Sequence, residues 1–221
     1  MCVNYTPTRK EKLVSFGVNG SELADYKPEI WQDYAAPIIR QSEQQQREVL
    51  LANYSLIPKS HLPAGSKRFS TMNARAETIG QLRSYARPWR NGQLCLVPMQ
   101  DFFEPCYESG KAERFRIGLK DETDFAVAGL YQEWLDTEGG KSHSFTQITI
   151  NADQHPVMNR MHKPGDEKRS LVVIHRDDYD DWLSCKNPEF ARSFLQLYPA
   201  ELMVADPVEI SAINTQQPSL F

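Results

Sequence analysis

The chain has 221 residues, 40% hydrophobic and 10% aromatic, and a net charge of −4. That apolar content is enough for a core and excludes a globally disordered chain, and the length suits one domain over residues 1–221. No run approaches the ~18 apolar residues of a membrane helix, the opening MCVNYTPTRKEKLVSFG lacks a secretion signal's apolar stretch, and the acidic balance argues against bulk nucleic-acid binding. The expectation is a cytoplasmic protein that does not engage membranes.

Along the chain the first notable residue is Cys2. Removal of Met1 makes it residue one, with an amine and a thiol on adjacent carbons, a pairing that no internal cysteine offers. The other cysteines, Cys95, Cys106 and Cys185, form no CxxC pair and fit neither a zinc site nor a disulfide framework. No metal and no cofactor are expected. The polar RQSEQQQREV (40–49) reads as a loop or strand edge.

Six runs read as strands: EVLLANYSLI (48–57), GQLCLVPMQDFFE (92–104), RFRIGLK (114–120), FAVAGLYQEWL (125–135), SFTQITIN (144–151) and RSLVVIH (169–175). Short turns such as ESGK and KDET between them favour antiparallel neighbours. Helical spacing predicts a helix over AETIGQLRSYARPWR (76–90), closed by Asn91-Gly92, with Arg83, Arg87 and Arg90 on one face. RDDYDDWLSC (176–185) and PEFARSFLQLY (188–198) read as two further helices. The predicted class is α+β, a mainly antiparallel, barrel-like sheet with a few flanking helices.

Charge is unevenly spread. Residues 59–92 carry Lys59, Lys67, Arg68, Arg75, Arg83, Arg87 and Arg90 against one acid, Glu77. Such a basic face suits a phosphate backbone, and equally a solvated helix surface. Three stretches carry candidate chemistry: TMNARAETIG (71–80), CLVPMQDFFEP (95–105) and NADQHPVMNRMHKPGDEKRSLVVI (151–174). Taken singly, Asn73 reads as a helix cap, Glu77 as an arginine's partner, Glu104 as a strand exit and His162 as an ordinary loop histidine.

In combination these residues change the reading. An N-terminal MC, then NARAET, an apolar strand ending in aromatic–Glu, and NAD with a following His and Arg before LVVI resemble the SRAP family. These are abasic-site-processing proteins first called SOS response-associated peptidases. The chain resembles a divergent bacterial or phage-related member. The resemblance implies single-stranded DNA containing abasic sites as partner, a monomer, and association with the nucleoid when bound. It further implies that Cys2 joins the ring-opened sugar aldehyde through its amine and thiol. Asn73 would position the N-terminus, Glu104 would shuttle protons, and His162 would protonate the sugar ring oxygen. Arg75, Lys67, Arg68, Arg83 and Arg87 would hold phosphates, and Tyr54 and apolar neighbours near YSLIP would meet bases. Arg160, with Arg169 as its alternative, would take the place of the arginine after the family's histidine. Departures stand at Val3 and Asn4, where the family has Gly-Arg, at Tyr54-Ser55, where it has Trp-Gly, and at Pro105, where it has Trp. Two other functions remain open: a thiol peptidase that uses Cys2, and a non-catalytic single-strand-binding module.

Overall fold

The structure, a computed structural model, describes residues 2–62, 65, 67, 69–121, 123–135 and 139–208. Arg68 and the terminal TQQPSLF lie outside the described residues. The chain opens with β1 (Asn4–Pro7), then the hairpin β2 (Ala35–Gln41) and β3 (Arg47–Tyr54), whose turn is the polar 42–46 segment. β4 (Asn73–Arg75) precedes helix α1 (Arg83–Arg90). There follow β5 (Leu94–Cys106), β6 (Glu113–Leu119), β7 (Phe125–Leu135) and β8 (Lys141–Asn151). The short β9 (Arg169–Leu171) and β10 (Val173–Ile174), helices α2 (Tyr179–Ser184) and α3 (Pro188–Ser193), and β11 (Met203–Pro207) complete it.

Strands β5, β7, β8, β3 and β2 pair in that order, and β2 returns to β5 through Ile39 opposite Leu96, which closes a five-stranded barrel. The pairings are antiparallel except β3–β8 and β4–β8, so the expected architecture is borne out. Its apolar runs are continuous because both faces of the barrel wall are buried. Ile38, Cys95, Val97 and Val127 point into one core, and their neighbours Ile39, Leu96, Ala126 and Ala128 point into a second core beneath the helices. Gly129 marks a close approach within the barrel wall. A Cβ there would lie 2.8 Å from Cys95 Sγ and 2.9 Å from the Thr146 carbonyl.

The predicted helices need correction in extent: those expected over 176–185 and 188–198 cover 179–184 and 188–193, and the one expected over 76–90 begins late. The helix spans only 83–90, and residues 76–82 are turns. Ala76 still donates its N–H to Thr149 of β8, and its carbonyl accepts from Arg192 Nη1 at 2.8 Å. Strand pairing therefore claims the backbone that helical spacing would have used.

Arg169 anchors the same region from within. It is 2% exposed, donates to both carboxylate oxygens of Glu77 at 2.8–2.9 Å, and reaches Glu167 and the Thr149 carbonyl. Burial pushes the Glu77 carboxyl up, but hydrogen bonds and charge from Arg169 outweigh this and hold it below the ordinary range. Glu167 is held down as well, chiefly by its Arg169 hydrogen bond. Carboxylates with depressed folded-state values contribute stability above their unfolded pKa of about 4.3, and it is lost as pH falls through the lower folded values. Arg169→Ala should cost about 2–4 kcal/mol at pH 7. The gap to the parent should narrow below about pH 4, as read from denaturant midpoints at both pH values.

Candidate active site

Cys2 reaches the barrel's end because β1 lies antiparallel on the outer half of β5, with Asn4 opposite Phe103. The residue is 1% exposed. Its carbonyl accepts a 2.6 Å hydrogen bond from Asn73 Nδ2 and faces the Tyr54 hydroxyl at 3.4 Å. Asn73 is thus a strand residue of β4 that holds the start of the chain, rather than a helix cap. Its Oδ1 is buried and has no partner among the described residues. Tyr85 of α1 donates to the Asn73 carbonyl at 3.0 Å, which fixes the strand from outside the barrel.

Burial, and then the negative charge of Glu104, push the Cys2 thiol far above its ordinary value. The thiol is therefore neutral near pH 7 and donates to the Asn4 carbonyl at 3.3 Å. Glu104 is 4% exposed and sits 3.2 Å from His162 Nδ1, with His162 itself 6% exposed. His162 Nε2 lies 3.1 Å from the Arg169 carbonyl, and a carbonyl only accepts, so Nε2 carries a proton. His162 Nδ1 faces the Glu104 carboxyl across that 3.2 Å contact. Both ring nitrogens are engaged. A contact between His162 and a sugar oxygen would have to draw the ring from one of these neighbours.

The loop that carries His162 is held in an unusual conformation. His162 has φ +64°, a left-handed geometry that costs a non-glycine residue about 1–3 kcal/mol. Its N–H donates to the Pro105 carbonyl at 2.7 Å, and Lys168 Nζ donates to the His162 carbonyl at 3.1 Å. These bonds hold the ring against Glu104.

The residues expected to meet DNA are placed unevenly. Tyr54 is a correction: it is fully buried, its ring stacks on Phe145 at 5.1 Å, and its hydroxyl is 2.9 Å from Gln147 Oε1. No base can reach it, and its contribution is to hold the Cys2 carbonyl. Arg75 is exposed but pairs with Glu167 at 2.5 Å, and Arg160 forms a two-pronged pair with Glu108. The alternative, Arg169, is buried and structural. Lys67, Arg83 and Arg87 are exposed. Asn4 is buried and bonded to Glu29, which also accepts from Arg114 at 2.7 Å. Sequence reading missed Gln147, although an amide within the apolar run SFTQITIN signals a buried polar partner.

This barrel, with a second-position cysteine gathered beside Asn73, Glu104 and His162, belongs to the SOS response associated peptidase (SRAP) family, whose family model matches residues 1–215. Among curated proteins the chain is 32% identical over 150 residues to "Abasic site processing protein YoqW" of Bacillus subtilis (strain 168), which covers 66% of this chain and 63% of that protein. It is likewise 32% identical over 152 residues to "Abasic site processing protein YobE" of the same organism, covering 67% and 65%. The matched segment thus spans less than two thirds of these relatives' lengths. A crystal structure of a Bordetella bronchiseptica protein superposes with a TM-score of 0.84 at 30% identity, covering 95% of this chain and 100% of that one. One from Bacteroides thetaiotaomicron gives 0.74 at 24% identity, covering 95% and 93%, a likeness of fold.

All four cysteines are free and buried. Native protein at pH 7.5 should therefore react slowly with an aromatic disulfide reagent, whereas denatured protein should react promptly at every thiol. A rapidly reacting thiol that maps to Cys2 in the native protein would show a more open site than this geometry allows.

Proposed function

We propose that the chain processes abasic sites in single-stranded DNA by forming a covalent thiazolidine between Cys2 and the ring-opened sugar. The observation that carries this reading is the position of Cys2: held by its carbonyl on Asn73, its side chain lies within the field of the buried Glu104–His162 pair. The names of the curated relatives support the substrate class.

Once Met1 is removed by hydrolysis, the Cys2 amine, with an ordinary pKa near 7.7–8.0, is neutral in useful proportion at pH 7. It attacks the aldehyde carbon, and loss of one water gives an imine. Asn73 Oδ1, the buried acceptor beside Cys2, suits an N–H of that amine. Glu104 carries the protons: it supplies one to the departing hydroxyl, regains one from the nitrogen as the imine forms, and relays the thiol's proton to that nitrogen at ring closure. His162 orients the Glu104 carboxyl from 3.2 Å away. The neutral thiol then adds to the imine carbon, and its proton passes to the nitrogen as the five-membered ring closes. No oxidant or reductant is needed. Because both nucleophiles sit on one residue, the second step is intramolecular, which raises its effective concentration by orders of magnitude. Arg75 would take a flanking phosphate, which must displace Glu167 to reach it.

The test mixes Met1-processed protein with a strand bearing one abasic site and resolves the products on a denaturing gel. A heat-stable band should form on the damaged strand alone and vanish in Cys2→Ala. Cys2→Ser keeps the amine but should give no heat-stable product. Glu104→Gln should slow formation by about 10²–10⁴-fold, the range for a lost proton carrier. A heat-stable band that persists in Cys2→Ala would overturn the reading. Binding without any band would favour a non-catalytic module, and cleavage of added peptide would favour a thiol peptidase.

A further inference from the structure

Two side-chain amides stand side by side next to Cys2. Asn73 of β4 and Gln147 of β8 are partners in the parallel pairing, so their side chains project from the same face of the sheet. Gln147 is fully buried, and its partner across the antiparallel pairing to β7 is Gly129, which adds no side chain to that face. The Tyr54 hydroxyl lies 2.9 Å from Gln147 Oε1 and 3.4 Å from the Cys2 carbonyl, which links the second amide to the reactive residue. Asn73 Nδ2 holds the same carbonyl at 2.6 Å. One atom of each amide is left over. Gln147 Nε2 and Asn73 Oδ1 are buried and have no hydrogen-bond partner among the described residues. One is a donor and the other an acceptor. Enclosing such groups without partners is costly, and apolar side chains of the same shape would avoid the cost.

We propose that Gln147 is a positioning residue for the Cys2 amine: with Asn73 it forms a donor–acceptor pair that holds the nitrogen in its neutral form. The proposal rests on the reading of Cys2 as the abasic-site nucleophile. A neutral amine has N–H groups to give to Asn73 Oδ1 and one lone pair to receive the Gln147 N–H. An ammonium group has no lone pair and would turn its charge toward that N–H. The pair therefore favours the protonation state that can attack a carbonyl carbon. Attack exchanges the Gln147 hydrogen bond for the new C–N bond. The product fits the same pair, because a thiazolidine nitrogen keeps one N–H and one lone pair.

Titratable groups converge on Cys2 from several elements. A charged Glu104 on β5, with His162 against it, would favour a charged amine, and the amide pair opposes that pull. Tyr54 of β3 and Tyr5 of β1 are kept neutral by burial. Arg75 of β4 is paired with Glu167, and Tyr85 of α1 donates to the Asn73 carbonyl. The parent and a Gln147 variant have all of these in common, so a difference between the two reports the amide alone.

The experiment follows heat-stable adduct formation on an abasic strand from about pH 6 to about pH 9, using Met1-processed parent and Gln147→Met. Methionine matches glutamine in length and lacks both polar atoms, so the denaturant midpoint should hold or rise. Losing a donor to the neutral form raises the amine's pKa. The rate of the variant should therefore climb with pH through a midpoint about half to one unit above the parent's, the worth of one hydrogen bond. At pH 7 the variant should react about 3–10-fold more slowly, and near pH 9 the two rates should converge. Affinity for a strand with a tetrahydrofuran analogue, which has no aldehyde, should be unchanged. Tyr54→Phe, which releases the amide while Gln147 stays in place, should move the midpoint the same way and add nothing to Gln147→Met. A midpoint that stays or falls would overturn the inference, whether the rate is unchanged or drops by one factor at every pH, as a structural role would have it. Either result leaves the Cys2 reading intact. No adduct from the parent at any pH would overturn both.

Discussion

Four residues at the start of the chain decide where chemistry can occur. β1 pairs with the outer half of β5, beyond the point where β5 leaves the barrel wall, and so carries Cys2 to the level of Glu104. Without that pairing the amine and thiol of Cys2 would belong to a frayed terminus. With it they are buried, and a hydrogen bond to the Cys2 carbonyl from Asn73 fixes the residue from the opposite side. β5 thus serves as barrel wall in its first half and as platform in its second.

Burial has a cost that the site resolves by pairing. A carboxylate as enclosed as Glu104 is unfavourable alone, and His162 stands 3.2 Å from it as a polar neighbour. The imidazole is in turn held by the Arg169 carbonyl, and the Arg169 side chain is neutralised by Glu77 and Glu167. The chain of contacts runs from the reactive end of the protein to the surface loop ahead of β9. It explains why a strained φ is tolerated at His162: relaxing the backbone would draw the imidazole away from the Glu104 carboxyl. The loop brings the histidine to within 3.2 Å of the Glu104 carboxyl.

Much of this was legible in the sequence, for identifiable reasons. Cys2, Asn73, Glu104 and His162 stand in motifs whose order is distinctive, and Glu104 falls on β5, whose apolar run fixes its place. The barrel followed from short turns between strongly apolar strands. The start of α1 was not legible, because helical spacing over 76–82 competes with pairing to β8, a contact between residues more than 70 positions apart. Tyr54 misled for a related reason. A tyrosine at the end of a strand suits solvent as well as core, and only closure of the barrel through the parallel β3–β8 pairing places it under Phe145. Arg169 looked like a candidate for DNA until its acidic partners, one of them from β4's far end, were brought around it.

The most direct measurement is tandem mass spectrometry of the N-terminal peptide after reaction with an abasic strand, with alkylation and borohydride treatment of parallel samples. The account predicts an adduct on Cys2 that lacks Met1, at the summed mass less one water, with a thiol that no longer alkylates and a linkage that borohydride does not reduce. An adduct on a lysine, or one on Cys2 that still alkylates or takes up two hydrogens, would contradict it.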